Sequence, residues 1–438
     1  VASRTIHANI SFWFVGTAPL PVTFGTRMRF NRHELAGSFG DIGTDLPLLI
    51  GMTAAAGLDA GSVFFVFGAL QILSGVYYRL PMPMQPLKAM AVIIIAGHLA
   101  PAVIHGGGLA IAIVMLLLTS TGLLSRIAQL FPLCVVRGIQ LGLGLSLASL
   151  AVRSYIWPAG VTGWLLATGG FLIMLLLWQN RRLPAGLVLV TAGIIYGLAT
   201  RNAAPNPVGS WHLHLPSVAL PTAADIVTGF FVLALPQLPL SLANSVVATR
   251  QTCADLFPES QVTTRKIGFT YALSNVASAL FGGVPVCHGS GGLVGHYNFG
   301  ARTGGSVVIY GSIYVLAALV FGHAAKDFLS ILPMAILGVI LTFEAFGLVR
   351  LAQRTEASRF GKIITVATGI VCVVAPHGFL FGSLVGLVAV LRTALRSEDS
   401  DHDRDFRNGG ANSASPATAR RRPVSANTRS HSKRALGL

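Results

Sequence analysis

Two stretches of this chain combine residue types and spacings that would hold a small anion inside an apolar protein. In Pro81-Met82-Pro83-Met84-Gln85-Pro86-Leu87-Lys88 each proline lacks a backbone donor and confines its predecessor to extended geometry, so a helix starts only near Pro86. The first turn of that helix carries unpaired N–H groups and the positive end of the helix dipole, a favourable place for negative charge. Gln85 adds side-chain donors and Lys88 a cation, although a lysine there also has an ordinary reading as a side chain snorkelling to a membrane surface. Val284-Pro285-Val286-Cys287-His288-Gly289-Ser290-Gly291-Gly292-Leu293 repeats the device with glycines, which let an oxyanion approach the backbone. It brings His288, Gly289, Ser290, Gly291 and Gly292 to a second helix start, with His288 readable either as a proton-sensitive ligand or as a hydrogen-bonded core histidine.

Acidic residues supply the other half of such chemistry. Asp41 and Asp45 lie four residues apart in an apolar run, which places them on one helix face. Carboxylates inside a membrane are functional by default, so Asp41 is expected to couple protons or cations, and Asp45 either to share that task or to pair with Lys88. Glu344 has two readings, as a coupling acid or as the partner of Arg137. Gln237 and Asn244, in the uncharged stretch Leu235 to Asn244, either contact a substrate without a protonation step or pack between helices.

Other chemistries find less support. The glycines after Pro285 are spaced Gly-x-Gly-x-x-x-Gly with no Gly-Lys-Ser/Thr, unlike a nucleotide loop. Cys287 beside His288 has no third orienting group, so no nucleophile–base set and no enzyme is expected. The cysteines, Cys134, Cys253, Cys287 and Cys372, are too dispersed for a zinc site or a disulfide framework, and no metal or other cofactor is expected.

The elements that must position these groups are membrane spans. The chain is 53% hydrophobic and 11% charged, with a mean hydropathy of +0.69, whereas soluble domains are about 25% charged. Its net charge of +16 does not form a patch interleaved with aromatics, so no nucleic acid is expected. Fourteen apolar runs are separated by polar breaks, and they divide the chain into a cytoplasmic segment 1–33, a first set of seven spans at 34–200, an external loop at 201–224 carrying Trp211, His212 and His214, a second set of seven at 225–396, and a disordered, first acidic and then basic tail at 397–438. No cleavable leader is evident.

The third and tenth runs are both short and both follow a proline-bearing stretch. Phe131-Pro132-Leu133 likewise answers Leu332-Pro333-Met334, and Pro184-Ala185-Gly186 answers Pro376-His377-Gly378. Seven being odd, the second set inserts upside down, and an inverted repeat with paired broken helices points to a secondary transporter with a midplane site. With the amino terminus inside, basic residues such as Arg126, Arg181, Arg182, Arg265 and Lys266 fall in inner loops, and only Arg153, Arg201 and Lys326 in outer ones. Both termini are therefore expected in the cytoplasm.

Gly40-Asp41-Ile42-Gly43-Thr44, the stretch Pro81 to Lys88, and the stretch Pro285 to Leu293 with Tyr297, Phe299, Gly300, Ala301 and Arg302 together resemble the molybdate transporter family, a branch related to the sulfate permeases. The resemblance covers roughly Glu34 to Arg396. It implies the sulfate and uracil permease fold, with fourteen spans as a seven-plus-seven inverted repeat divided into core and gate, and a substrate between the third and tenth spans. Sulfate permeases usually carry a STAS domain after the last span; the short polar tail here favours the molybdate branch. Nucleobase permeases share the fold but use acids on the eighth and tenth spans, where this chain has Gln237 and Ser290. The expectation is a carrier of molybdate in a plasma (inner) membrane, with sulfate as the alternative substrate and a passive anion channel as the alternative class. Expected partners are the oxyanion, the lipid bilayer and a coupling proton, with a homodimer left open.

Overall fold

The computed structural model describes residues 27–129, 132–177, 185–200, 216–321, 331–353, 359–375 and 377–392. Residues 1–26, most of the expected loop including Trp211, His212 and His214, and the tail at 397–438 lie outside them, as do Phe131, Pro184 and Pro376 of the matching pairs. The described residues up to Ala389 belong to one unit, Val1–Ala389; of the second unit, Val390–Leu438, only the start is described, the end of a helix Gly378–Arg392.

The described residues are mostly helical. In chain order come α1 (Arg32–Ser38), α2 (Ile42–Ala56), α3 (Ala60–Tyr78), strand β1 (Met84–Pro86), α4 (Lys88–Gly97), α5 (Pro101–Ser120), α6 (Leu123–Gln129), α7 (Leu133–Leu150), α8 (Gly160–Leu176) and α9 (Ala185–Thr200). Next are α10 (Ala223–Gly229), α11 (Leu235–Leu240), α12 (Thr249–Leu256), α13 (Thr264–Leu280), strand β2 (Val286–His288), α14 (Ser290–Asn298), α15 (Gly305–Phe321), α16 (Met334–Gln353) and α17 (Arg359–Val374). Four helical stretches are long and apolar enough to cross a membrane by length and composition: Ala60–Tyr78, Pro101–Ser120, Leu133–Leu176 and Ala223–Leu256.

Four of the apolar runs take a different form from the simple spans the hydropathy suggests. The first, Leu35 to Gly57, breaks between α1 and α2 because Gly40 sits directly against the backbone of Gly295 and His296, where a Cβ would collide. Asp41 is consequently the N-cap residue of α2 rather than an interior position. The fifth and sixth runs join through a π-helical turn, Ala151–Ile156, and a short 3-10 turn, Trp157–Ala159, ended by Gly160 at φ 60°. In the eighth run Pro236 and Pro239 remove two backbone donors, and π-helical stretches at Phe230–Ala234 and Ser241–Ala248 flank them, so that α10, α11 and α12 form one continuous helix with widened turns.

One strand pair occurs among the described residues, and every residue of it is buried. The prolines of the first motif and Pro285 of the second forbid helix, and the extended backbones pair antiparallel with Met84 opposite His288, Gln85 opposite Cys287 and Pro86 opposite Val286. Leu87 N extends the ladder to Pro285 O at 2.9 Å. Each strand's outer edge is closed by a side-chain amide from the preceding helix. On α3, Gln71 Nε2 donates to Met84 O at 2.7 Å and its Oε1 accepts from Met84 N at 2.9 Å. On α13, Asn275 Nδ2 donates to Val286 O at 2.6 Å and its Oδ1 accepts from Val286 N at 2.9 Å. One turn along, Ser74 Oγ donates to Met82 O at 2.7 Å and Ser278 Oγ to Val284 O. Gln71 and Asn275 are fully buried, where an unpaired backbone group is costly.

Helices pack around this ladder by close backbone approach. On α3 and α15 a Cβ at Gly68 would fall on the carbonyl of Gly311, and one at Gly311 on the carbonyl of Gly68. α13 packs on α5, and α16 and α17 pack on α7. Glu34 of α1, almost wholly buried, fixes the start of α15: its Oε1 accepts from Arg302 N at 3.0 Å and Thr303 N at 2.9 Å, and its Oε2 from Ser306 N at 3.0 Å.

Removing one amide clamp leaves a buried N–H and a buried C=O unsatisfied together. Asn275→Ala is expected to cost about 2–4 kcal/mol of stability, and Gln71→Ala a matching amount. Thermal unfolding of the detergent-purified protein measures both; an unshifted midpoint would show that the ladder does not depend on its clamps.

Candidate anion-binding site

Antiparallel pairing of β1 and β2 sends α4 and α14 away from opposite ends of the ladder, so the N-terminal ends of both helices flank the pair Gln85–Cys287. Helix N-termini arranged in this way concentrate positive potential and backbone donors at one place. α4 starts at Lys88 after Leu87, and α14 at Ser290 after Gly289, neither with a side-chain cap from its own N-cap residue.

Three donors at the α4 end, Lys88 Nζ, Ala89 N and Met90 N, have side-chain partners. Lys88 Nζ forms an ion pair with Glu344 Oε1 of α16 at 2.5 Å. Gln237 Oε1 of α11 accepts from Ala89 N at 3.0 Å and Met90 N at 3.2 Å, while its Nε2 donates to Ser241 Oγ at 3.1 Å. Ser241 in turn meets Tyr271 Oη at 2.8 Å. At the α14 end the space is more open: nothing lies within reach of a Cβ on Gly291, and Ser290 Oγ is 3.4 Å from Asn244 Oδ1.

Asp41 lies between the two ends. Gln85 Nε2 donates to both of its carboxylate oxygens at 2.7 Å. A Cβ on Gly292 would collide with Asp41 Oδ2, and one on Gly289 with Gln85 Oε1, so a side chain at either glycine would displace the Asp41 carboxylate or the Gln85 amide. Asp45, with no exposed surface, accepts from Tyr310 Oη at 3.2 Å through Oδ2, and Tyr310 meets Tyr314 Oη at 2.9 Å.

Of the residues singled out in the sequence, Asp41, Gln85, Lys88, Gln237, Asn244, Gly289, Ser290, Gly291, Gly292 and Glu344 gather around the two helix starts. Two pairings differ from expectation. Glu344 takes Lys88, while Arg137 Nη1 donates to Gln140 one turn along α7 at 2.9 Å. Asp45 is bonded to Tyr310 rather than to Lys88. His288 lies on the opposite strand face from Gln85, with Nε2 at 2.8 Å from Thr270 Oγ1 and its ring edge-on to Tyr78. That is the core-histidine environment.

Sequence reasoning passed over Gln71, Ser74, Asn275 and Ser278. A signal was present: a polar amide followed three residues later by serine, in an apolar helix, ten residues ahead of Pro81 in one case and of Pro285 in the other. Tyr310 and Tyr314 gave no comparable signal, because tyrosines at helical spacing are ordinary core residues.

Residues 33–147 and 229–348 match a family model described as a molybdate transporter of the MFS superfamily. Molybdate transporter 2 of Arabidopsis thaliana is 30% identical over 82% of this chain and 88% of its own length. Molybdate transporter 1 of Chlamydomonas reinhardtii is 28% identical over 82% of this chain and 91% of its own. Among solved structures, the transmembrane domain of the cyanobacterial bicarbonate transporter BicA superposes with a TM-score of 0.62 at 17% identity, covering 83% of this chain and 98% of that one. The murine anion transporter Slc26a9 in its inward-facing state gives 0.65 at 14% identity, covering 85% of this chain and 69% of that one. The fold is thus that of the BicA and Slc26a9 membrane domains, and the protein is an integral, multi-pass membrane protein rather than an enzyme. With more than half its length matched by the family model, the chain belongs to the molybdate transporter family.

Proposed function

We propose that the protein is a secondary active transporter of molybdate, holding the anion between the N-terminal ends of α4 and α14. The observation that carries this reading is the convergence of two antiparallel strand–helix units on one point, beside a buried lysine. Lys88 supplies charge, Gln85 and Ser290 hydrogen bonds, and Gly289, Gly291 and Gly292 close backbone approach, with Gln237 and Asn244 bordering the site. Membership of the family favours molybdate over sulfate, which has the same charge and shape.

The organisation is a seven-plus-seven inverted repeat of fourteen spans, with both ends of the chain in the cytoplasm. Supporting it, the contacts of the first half have counterparts in the second. β1–α4 answers β2–α14, the Gln71–Ser74 clamp answers the Asn275–Ser278 clamp, and α3 on α15 answers α13 on α5. Such symmetry is what lets one binding point face the two sides of a membrane in turn.

Charge balance argues for proton coupling. Asp41, Asp45 and Glu344 stand near a single buried cation, Lys88. A dianion entering this neighbourhood must bring positive charge with it, because uncompensated buried charge is expensive. Asp41, between the helix starts, is the group placed to take that proton, with Asp45 and Glu344 as further acids of the site.

Uptake of molybdate into proteoliposomes, with sulfate as competitor, tests the assignment: saturable accumulation is expected, whereas currents beyond carrier turnover would mark a channel and sulfate-only uptake the other substrate. Lys88→Gln is expected to raise the half-saturating molybdate concentration at least about tenfold while the protein still folds, the scale of losing one partner of a buried charged contact. Wild-type saturation in that variant would discard Lys88 as a ligand. In Asp41→Asn, uptake should no longer respond to an imposed pH gradient, and a retained response would move the coupling to another acid.

A further inference from the structure

Lys88 Nζ and the N–H groups of Ala89 and Met90, at the start of α4, are engaged by oxygens from elsewhere in the chain. Gln237 Oε1 bridges Ala89 N and Met90 N, the bonding that one oxygen of a tetrahedral oxyanion makes at a helix N-terminus. Glu344 Oε1 sits on Lys88 Nζ as a second, charged oxygen. The two come from different helices, α11 and α16, and both attach to α4 within its first turn. We propose that Gln237 and Glu344 are internal stand-ins for the transported anion, and that molybdate binds at α4 by displacing them. The inference rests on the placement of the anion at α4.

The physical argument is competition. An amide N–H serves one strong acceptor at a time, and a dianion is a stronger acceptor than the neutral carbonyl of Gln237. Lys88 has three protons to donate, but a carboxylate beside a bound dianion is repelled by it, so Glu344 must withdraw or take up a proton. Glu344 is the more accessible member of the pair, its side chain 27% exposed against 9% for Lys88, and so has room to leave. Displacement frees α4 from α11 and α16 together, which ties occupancy of the site to the freedom of α4 to move relative to them. A ligand shifts a conformational equilibrium only through such differential contacts.

This reverses the usual expectation for residues bordering a binding site: removing either competitor tightens binding. For the purified full-length protein in detergent, titration calorimetry with molybdate, tungstate and sulfate should show Glu344→Gln binding about tenfold more tightly than wild type, the worth of one charge-assisted hydrogen bond released from internal competition. Glu344→Asp, which keeps a carboxylate for folding but draws it back from Lys88, should fall between. Gln237→Leu should also gain affinity. In the Lys88→Gln background the gain from Glu344→Gln should vanish. Reconstituted Glu344→Gln should transport with lower KM and lower turnover, because α4 is no longer returned to its latch.

Unchanged or weaker binding in Glu344→Gln or Glu344→Asp, or a gain that survives without Lys88, overturns the proposal. If wild type binds sulfate but not molybdate, the substrate assignment fails while the competition is judged on sulfate. Binding of none of the three anions by wild type overturns both.

Discussion

Two short segments of non-helical backbone lie inside a protein whose surroundings offer them no water, and every hydrogen bond they need must come from the chain. The ladder between β1 and β2 serves their facing edges, and Gln71, Ser74, Asn275 and Ser278 take up backbone groups of Met84, Met82, Val286 and Val284 on the outer edges. Much else depends on that constraint. Helices α3 and α13 must lie close enough for their amides to reach the strands, and the glycine contacts between α3 and α15 hold α3 there. Because β1 and β2 are each followed at once by a helix, fixing the ladder also fixes the starts of α4 and α14. The geometry of the proposed site is in this sense a by-product of solving a backbone problem.

Electrostatics then decides what the geometry can hold. One lysine and two helix ends provide positive potential, while Asp41, Asp45 and Glu344 oppose it. A site built only from donors would retain a dianion too well to release it. The nearby acids set a limit on that retention, and they link it to protons under the proposed function. Asp41 also shows why the glycines are where they are: its carboxylate lies so near Gly292 that any side chain there would expel it.

The general plan was legible in the sequence because it is written in residues with local consequences. Prolines at 81, 83, 86 and 285 remove donors and bias their predecessors to extended backbone, and the helix starts at Lys88 and Ser290 follow the strands they form. What could not be read locally was partner choice. Glu344 and Lys88 are 256 residues apart, and Arg137 was as reasonable a partner until the helices were placed. Glu34 stands at the very start of the first set of spans, and nothing local shows that it is buried against the start of α15. The break between α1 and α2 depends on Gly40 meeting Gly295, a contact between distant segments that a hydropathy profile does not record. The π-helical turns around Pro236 and Pro239 depend in the same way on what neighbouring helices allow.

Tethered oxygens at helix starts recur in this protein, and their charge separates permanent ones from exchangeable ones. Glu34 gives α15 a full carboxylate bonded to three backbone N–H groups. An external anion would have to match that charge and also meet the cost of stranding a buried carboxylate, so the contact is structural. Gln237 gives α4 only a neutral carbonyl, which a dianion outcompetes, and once displaced its amide still has Ser241 as a partner. Glu344 lies between these cases: charged, but partly exposed. Under the proposed displacement, the order Glu34, Glu344, Gln237 is an order of increasing ease of replacement, with the fixed contact at α15 and the exchangeable ones at α4.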